Sequence, residues 1–245
     1  MKQLLIVFVC FTSVLKAQMS DSIIAAPLIG IHFGGDLPLG DLSKRFGANL
    51  NAGIQFMYKT KKNYVIGLDG NYMFGRNIKE DVLAPLKTEK NFIIDNSGYP
   101  ADIRVSQRIV NIHVRFGKIL PFLSANPNSG LIMMGGAGYM MHQIHFVDMQ
   151  KQISAVGGDM VRGYDRMTHG PALSQFIGYI YLSDNRITNF YAGIEAYQGF
   201  TKSVRKLNYD TGLPDTEARF DALVGLRFGW ILPLYSRAPK QYFYN

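Results

Sequence analysis

The feature that most constrains this chain is a strict alternation of side-chain character that persists well beyond the length of an ordinary strand. From residue 64 to 74, Tyr64, Ile66, Leu68, Tyr72 and Phe74 share one face with Gly70, while Val65, Gly67, Asp69, Asn71 and Met73 share the other. The same pattern returns near the end. Phe220, Ala222, Val224, Leu226, Phe228 and Trp230 oppose Asp221, Leu223, Gly225, Arg227 and Gly229. Successive side chains of a strand point to opposite faces, so period two marks extended backbone. A strand of a soluble sheet typically runs for only about 5–6 residues. Here the runs are about twice as long, and their consistent face carries large apolar groups. That is the signature of a tilted, membrane-crossing strand of roughly 9–11 residues, greasy toward lipid and small or polar toward a lumen. Hydrocarbon offers no hydrogen-bond partners, so such strands must close into a ring.

Six further segments fit the pattern. They are Ile29 to Gly34; Leu50, Ala52, Ile54, Phe56 and Tyr58; Val110, Ile112, Val114 and Phe116; about Leu131 to His142; about Ala172 to Leu182, whose phase is ambiguous; and Phe190, Ala192, Ile194 and Ala196. The fold class expected is all-β: an eight-stranded antiparallel transmembrane barrel. Connectors alternate in length. Short ones lie at 59–63, around 126–130 and at 183–186; long ones run over Leu37–Asn49, Arg76–Gln107, Ile144–Pro171 and Thr201–Arg219. Short periplasmic turns and long extracellular loops are the usual asymmetry of these barrels. Prolines are expected only near strand ends. Tyr58, Tyr64, Tyr72, Tyr179, Tyr181 and Trp230 are expected in aromatic girdles.

Residues 1–17 read as a cleaved signal peptide. A basic Met1-Lys2 precedes an apolar run from Leu4 to Leu15, and Lys16-Ala17-Gln18 supplies the cleavage region. The run is short for a spanning helix, which needs about 20 residues. Residues 18–232 then form the barrel and 233–245 a periplasmic tail. Cys10, the single cysteine, falls in the leader behind Val9, which argues against lipidation, so the mature chain has no thiol chemistry. The charge of +8 falls to +6 without Lys2 and Lys16. Its Lys and Arg are scattered without a basic stripe, so nucleic acid is not expected as a partner and acidic lipid headgroups are. Charged residues make up only 18% of the chain and mean hydropathy is +0.01, so apolar residues are interleaved with polar ones rather than grouped.

The run Gly34-Gly35-Asp36-Leu37-Pro38-Leu39-Gly40-Asp41-Leu42, then Arg45-Phe46-Gly47, then Tyr58-Lys59-Thr60-Lys61-Lys62-Asn63 resembles small outer-membrane barrels of Bacteroidota, within the OmpA-like and OmpX-like superfamily. The resemblance covers most of the mature chain and implies residence in the outer membrane. It leaves open several roles, among them a subunit of secretion or assembly machinery. The tail from Leu234 to Asn245 is too short for the peptidoglycan-binding domain of two-domain relatives, so their anchoring role is not expected.

The candidate functional residues are luminal. An eight-stranded barrel is filled by side chains, and buried charges require partners. Arg115 and Arg227 are therefore expected to pair with Asp69, Glu195 and Asp221, with His32 and His113 in the same lumen. His32, His113 and His142 come from separate strands and do not suggest a metal site; no cofactor is expected. The tail residues Arg237, Lys240, Tyr242, Phe243 and Tyr244 are types enriched at interface hot spots and form a candidate docking segment for an envelope protein; the long loops are the other candidate contact. Ser174, His169 and Asp165 are the only grouping that suggests catalysis, as in lipid-modifying barrels. No motif binds them, and the chain is not expected to be an enzyme. The expected function is that of a structural or accessory subunit of a cell-envelope complex, in contact with outer-membrane lipid and lipopolysaccharide. The alternative is a narrow channel or surface-binding barrel.

Overall fold

A computed structural model describes residues 23–101, 103–124, 126–148, 153–183 and 187–234. The expected signal peptide and the docking residues Arg237 to Tyr244 lie outside the described residues. Eight long strands form the wall: β1 (Ala26–Gly40), β2 (Asn49–Lys59), β3 (Tyr64–Gly75), β6 (Ile103–Leu120), β7 (Gly130–Asp148), β8 (Thr168–Tyr181), β9 (Phe190–Ser203) and β10 (Ala218–Pro233). The short α1 (Leu42–Arg45) follows β1, and the two-residue strands β4 (Ile93–Ile94) and β5 (Pro100–Ala101) pair inside the connector between β3 and β6. The wall closes in the order β1-β10-β9-β8-β7-β6-β3-β2, every neighbour antiparallel, with β2 returning to β1. Gly34, for instance, pairs with Arg227 on one side and Asn51 on the other.

All eight expected spans are present, but several extend further than the alternation suggests. β1 continues through Gly40, and β8 begins at Thr168, so the first part of what reads as loop at Leu37–Asn49 and the last part of that before Pro171 are strand. Pro38 and Pro171 fall within the lengthened strands, two residues from the end of β1 and three from the start of β8. Pro38 sits beyond the last β1–β2 pair, Asp36 with Asn49, where its missing N–H leaves no gap in that ladder. Pro171 pairs with Tyr139 of β7, but the β8–β9 ladder skips from His169–Lys202 to Ala172–Gly199. β6 and β7 are also longer than expected. They run together from Ile103–Asp148 to Leu120–Leu131 and rise beyond their neighbours at the long-loop end.

The outer wall is a belt of exposed large apolar side chains, including Ile31, Phe33, Ile54, Phe56, Ile66, Leu68, Ile112, Val114, Ile177, Ile194 and Leu226. Exposed aromatics gather toward the short-connector end (Tyr58, Tyr64, Tyr179, Phe190, Trp230) and toward the long-loop end (Tyr72, Phe74, Tyr139, Phe200, Phe220). Tyr64 stacks on Phe116 and Phe200 meets Phe220 across strands. A soluble monomer rarely exposes an apolar patch of more than a few hundred Å², whereas this belt encircles the molecule.

The interior has three layers. Leu28, Met57, Val65, Ile119, Ile132, Phe176, Ile180 and Ile231 form an apolar floor at the short-connector end. A polar belt lies in the middle. Above it, luminal Met73, Ile109, Met140 and Leu223 pack against Leu42 and Phe46 around α1, Val82 and Leu83 after β3, and Ile153, Val156 and Tyr164 before β8. The long loops thus fold inward and complete a hydrophobic core inside the mouth.

Candidate functional site

The middle layer is built by four strands that do not all touch. Asp69 comes from β3, Arg115 from β6, Glu195 from β9 and Arg227 from β10. Each occupies the inward phase of its strand. Arg227 donates to Asp69 Oδ2 at 2.7 Å and Oδ1 at 3.2 Å, and lies 2.7 Å from Glu195 Oε2. Arg115 meets Glu195 at 2.8 Å and Asp69 at 3.2 Å. Two cations and two anions therefore form a closed square across the lumen, and Arg227 is fully buried. Two residues that charge counting overlooks complete it. The Tyr197 hydroxyl accepts from Asn71, Arg115 and Arg227 at 2.7, 3.0 and 2.8 Å. Asn71 also donates to Asp69, accepts from Arg227, and lies 2.5 Å from His32 Nε2. Both occupy inward positions. The missed signal is that a polar tip on the luminal phase must find a partner.

His32 joins the network through Asn71, and His113 packs its ring against Tyr197 at 5.3 Å. Asp221 does not join it. Six residues before Arg227 on β10, toward the long-loop end, Asp221 bonds His142 Nε2 at 2.8 Å and accepts from the Thr201 hydroxyl, forming a separate pair beside the upper core. The expectation treated the lumen as one compartment, but six residues of strand rise about 20 Å, beyond side-chain reach. Among the described residues no group of three or more His, Cys, Asp or Glu side chains is placed to hold a metal ion.

A second ionic cluster fastens the mouth. Glu80 receives Arg45 and Arg166, each at 2.9 Å from Nε. Arg166 reaches Asp210 at 2.6 Å, Arg205 pairs with Asp165 at 2.5 Å, and Arg219 pairs with Asp215 at 2.8 Å. Arg45 also donates to the Arg166 carbonyl at 3.1 Å. All four long connectors are thereby tied together over the upper core. At the edge of this cap, the ammonium of Lys44 and the Phe220 N–H hold the Asp41 carboxyl below the usual carboxylate range.

The catalytic grouping does not assemble. Ser174 points into the lumen and is buried, not at the rim. His169, five residues earlier on the same strand, has the opposite phase and meets the Tyr139 hydroxyl on the outer face. The wall itself separates them, and Asp165 is held by Arg205. A nucleophile and its base must lie within hydrogen-bond reach, which this phase relation forbids.

No family model matches the chain, and no curated protein matches it. Among solved structures, the chain is similar to Neisserial surface protein A, at 11% identity and TM-score 0.44, covering 86% of this chain and 99% of that one. It is similar to Ail, the attachment invasion locus protein of Yersinia pestis, at 10% and 0.42, covering 85% and 100%. It is also similar to the outer membrane protein OprG of Pseudomonas aeruginosa, at 12% and 0.38, covering 88% and 99%. The assignment as an eight-stranded barrel rests on the closed ladder of pairings.

Proposed function

We propose that this chain is a non-enzymatic, sealed barrel of the bacterial outer membrane that works through its outer wall and its cap, as a structural or accessory subunit of a cell-envelope complex. The observation that carries this is the three-layered filling of the lumen, apolar floor, ionic square and loop-built core, beneath a salt-bridged mouth. A solute path would have to break the square, and among the described residues the one sequence grouping that suggests catalysis, Ser174 with His169, is split by the wall. The encircling apolar belt needs a hydrocarbon solvent, and the resemblance to Bacteroidota barrels supports that setting. Lipopolysaccharide and lipid are the immediate neighbours. Arg108 lies 5.9 Å from the Tyr72 ring centre and Lys118 4.8 Å from that of Tyr64, cations over aromatics at opposite ends of the belt, where headgroups begin.

The docking role of Arg237, Lys240, Tyr242, Phe243 and Tyr244 is part of the same proposal. Tagged protein purified from outer membranes, with and without residues 238–245, tests it. A stoichiometric partner lost on deletion is expected; an unchanged partner set rules out tail docking, and an isolated barrel refutes the accessory role. Surface binding by the cap is the second reading, favoured by the connectors being locked into one surface. Steady single-channel conductance from the purified barrel would overturn the sealed lumen.

A further inference from the structure

One place on the outer belt does not suit lipid. On β8 the outward series is His169, Pro171, Leu173, Gln175, Ile177, Tyr179 and Tyr181, so Gln175 stands midway between the two ends of the lipid-facing row. It is exposed, and among the described residues its carboxamide bonds Gln198 of β9, at 3.4 Å. That single bond uses one of the pair's four N–H groups and leaves both amides with donor capacity directed at hydrocarbon. Intramembrane polar groups are costly and face a partner by default.

The surroundings are small side chains gathered beside polar ones. Cross-strand neighbours of Gln175 are Gly135 and Ala196, and Ala222 lies beside Gln198. The space outside Gly135 is open, with no atom within 4 Å of where a Cβ would stand. Gly135 and Ala196 line a groove of about 410 Å³ with Gln175, between Met133, Ile177 and Ile194. On the opposite wall, β1 to β3, small Gly70 and Ala52 are flanked by Ile31, Ile54, Phe56 and Leu68, with no carboxamide among the outward side chains of their mid-wall level.

We infer that this β7–β9 face is an interface with a second copy of the same chain. A carboxamide carries both donor and acceptor and so is complementary to itself across a two-fold axis, where one patch meets its own image. An acyl chain offers neither donor nor acceptor. Small residues beside the amides let the two walls approach closely, as at membrane helix contacts. The dimer places Gln175 and Gln198 against their copies and fills each groove with the partner's side chains.

This inference rests on the membrane reading, and the test separates the two. The full chain, carried in a Cys10→Ser background, is reconstituted in phosphatidylcholine vesicles at decreasing protein density. Association is read by energy transfer between labelled copies, and vesicle flotation is read on the same samples. Dimers are expected in wild type, with dissociation at least tenfold easier in Gln175→Leu/Gln198→Leu. Ala196→Cys is expected to give a disulfide adduct of twice the chain mass, and Ile54→Cys none. Floating monomer at every density, a double-Leu variant that associates like wild type, equal adducts from both cysteines, or an adduct of another mass would each overturn the dimer. Protein that does not float would overturn the membrane reading itself.

Discussion

Arg227→Met is the most informative single substitution. Methionine keeps the length and the packing of the stem but removes the guanidinium that touches Asp69, Asn71, Glu195 and Tyr197. Arg115 then faces two carboxylates alone, at 3.2 and 2.8 Å, and the layer carries an uncompensated negative charge between two apolar cores. Breaking a buried pair by removing one partner costs about 3–5 kcal/mol, and that is the loss expected. Arg227→Met/Asp69→Leu removes a matched pair and leaves Arg115 with Glu195, so the double variant should recover about 1–2 kcal/mol of the loss on the same grounds. Urea unfolding in detergent or lipid, followed by the fluorescence of Trp230, measures both. It is the only tryptophan, and its indole bonds the Ile187 carbonyl on the outer wall. A cost below about 1 kcal/mol for Arg227→Met, or a double variant weaker than the single, would refute the closed ionic square.

The cap and the wall make further predictions. Glu80→Gln removes the anion shared by Arg45 and Arg166; with Glu80 partly solvated the loss should be about 1 kcal/mol, seen as roughly fivefold faster proteolysis of the long connectors with the barrel intact. Phe46→Ala empties the centre of the upper core, where Phe46 is fully buried and edge-on to His142, and should cost about 3–5 kcal/mol by denaturant titration. Gly138→Ala should cost at least about 2 kcal/mol because the new methyl would stand 1.9 Å from the Ile112 carbonyl, whereas Gly70→Ala, with open space outside it, should be neutral. Because the folded Asp41 carboxyl is held below its unfolded value, its contribution is present above the unfolded pKa and fades as pH falls through the folded one. The difference in thermal melting between wild type and Asp41→Asn should accordingly shrink toward acid.

What the sequence made legible follows from what strand geometry makes periodic. The eight spans, the facing of most of them and the inward placement of Asp69, Arg115, Glu195 and Arg227 are readable, because phase within a strand needs only neighbouring residues. Depth was not readable. Asp221 shares Arg227's phase but lies too far up the strand to reach the square, and residue spacing alone does not say which levels of different strands coincide until the register is known. The β8 phase was ambiguous for a physical reason: Phe176 and Ile180 are apolar inside the floor, while outward Gln175 is polar. The inward folding of the loops leaves no sequence signature because Leu42, Phe46, Val82, Leu83 and Tyr164 are scattered over three connectors and have no period of their own. Ser174 and His169 looked like a pair in sequence, but an odd separation on one strand puts them on opposite sides of the wall.

The central claim is that the outward phase faces hydrocarbon while the inward phase is sealed from both water and lipid. Nitroxide labels placed one at a time from Leu50 to Tyr58 on β2, in bilayers, test it through their collisions with oxygen and with a water-soluble nickel complex. Labels at Leu50, Ala52, Ile54, Phe56 and Tyr58 should collide with oxygen and not with nickel, most strongly at Ile54, and those at Asn51, Gly53, Gln55 and Met57 with neither. Nickel collisions at the inward sites would mean a wet lumen, and a loss of the two-residue alternation would mean the wall does not face lipid at all.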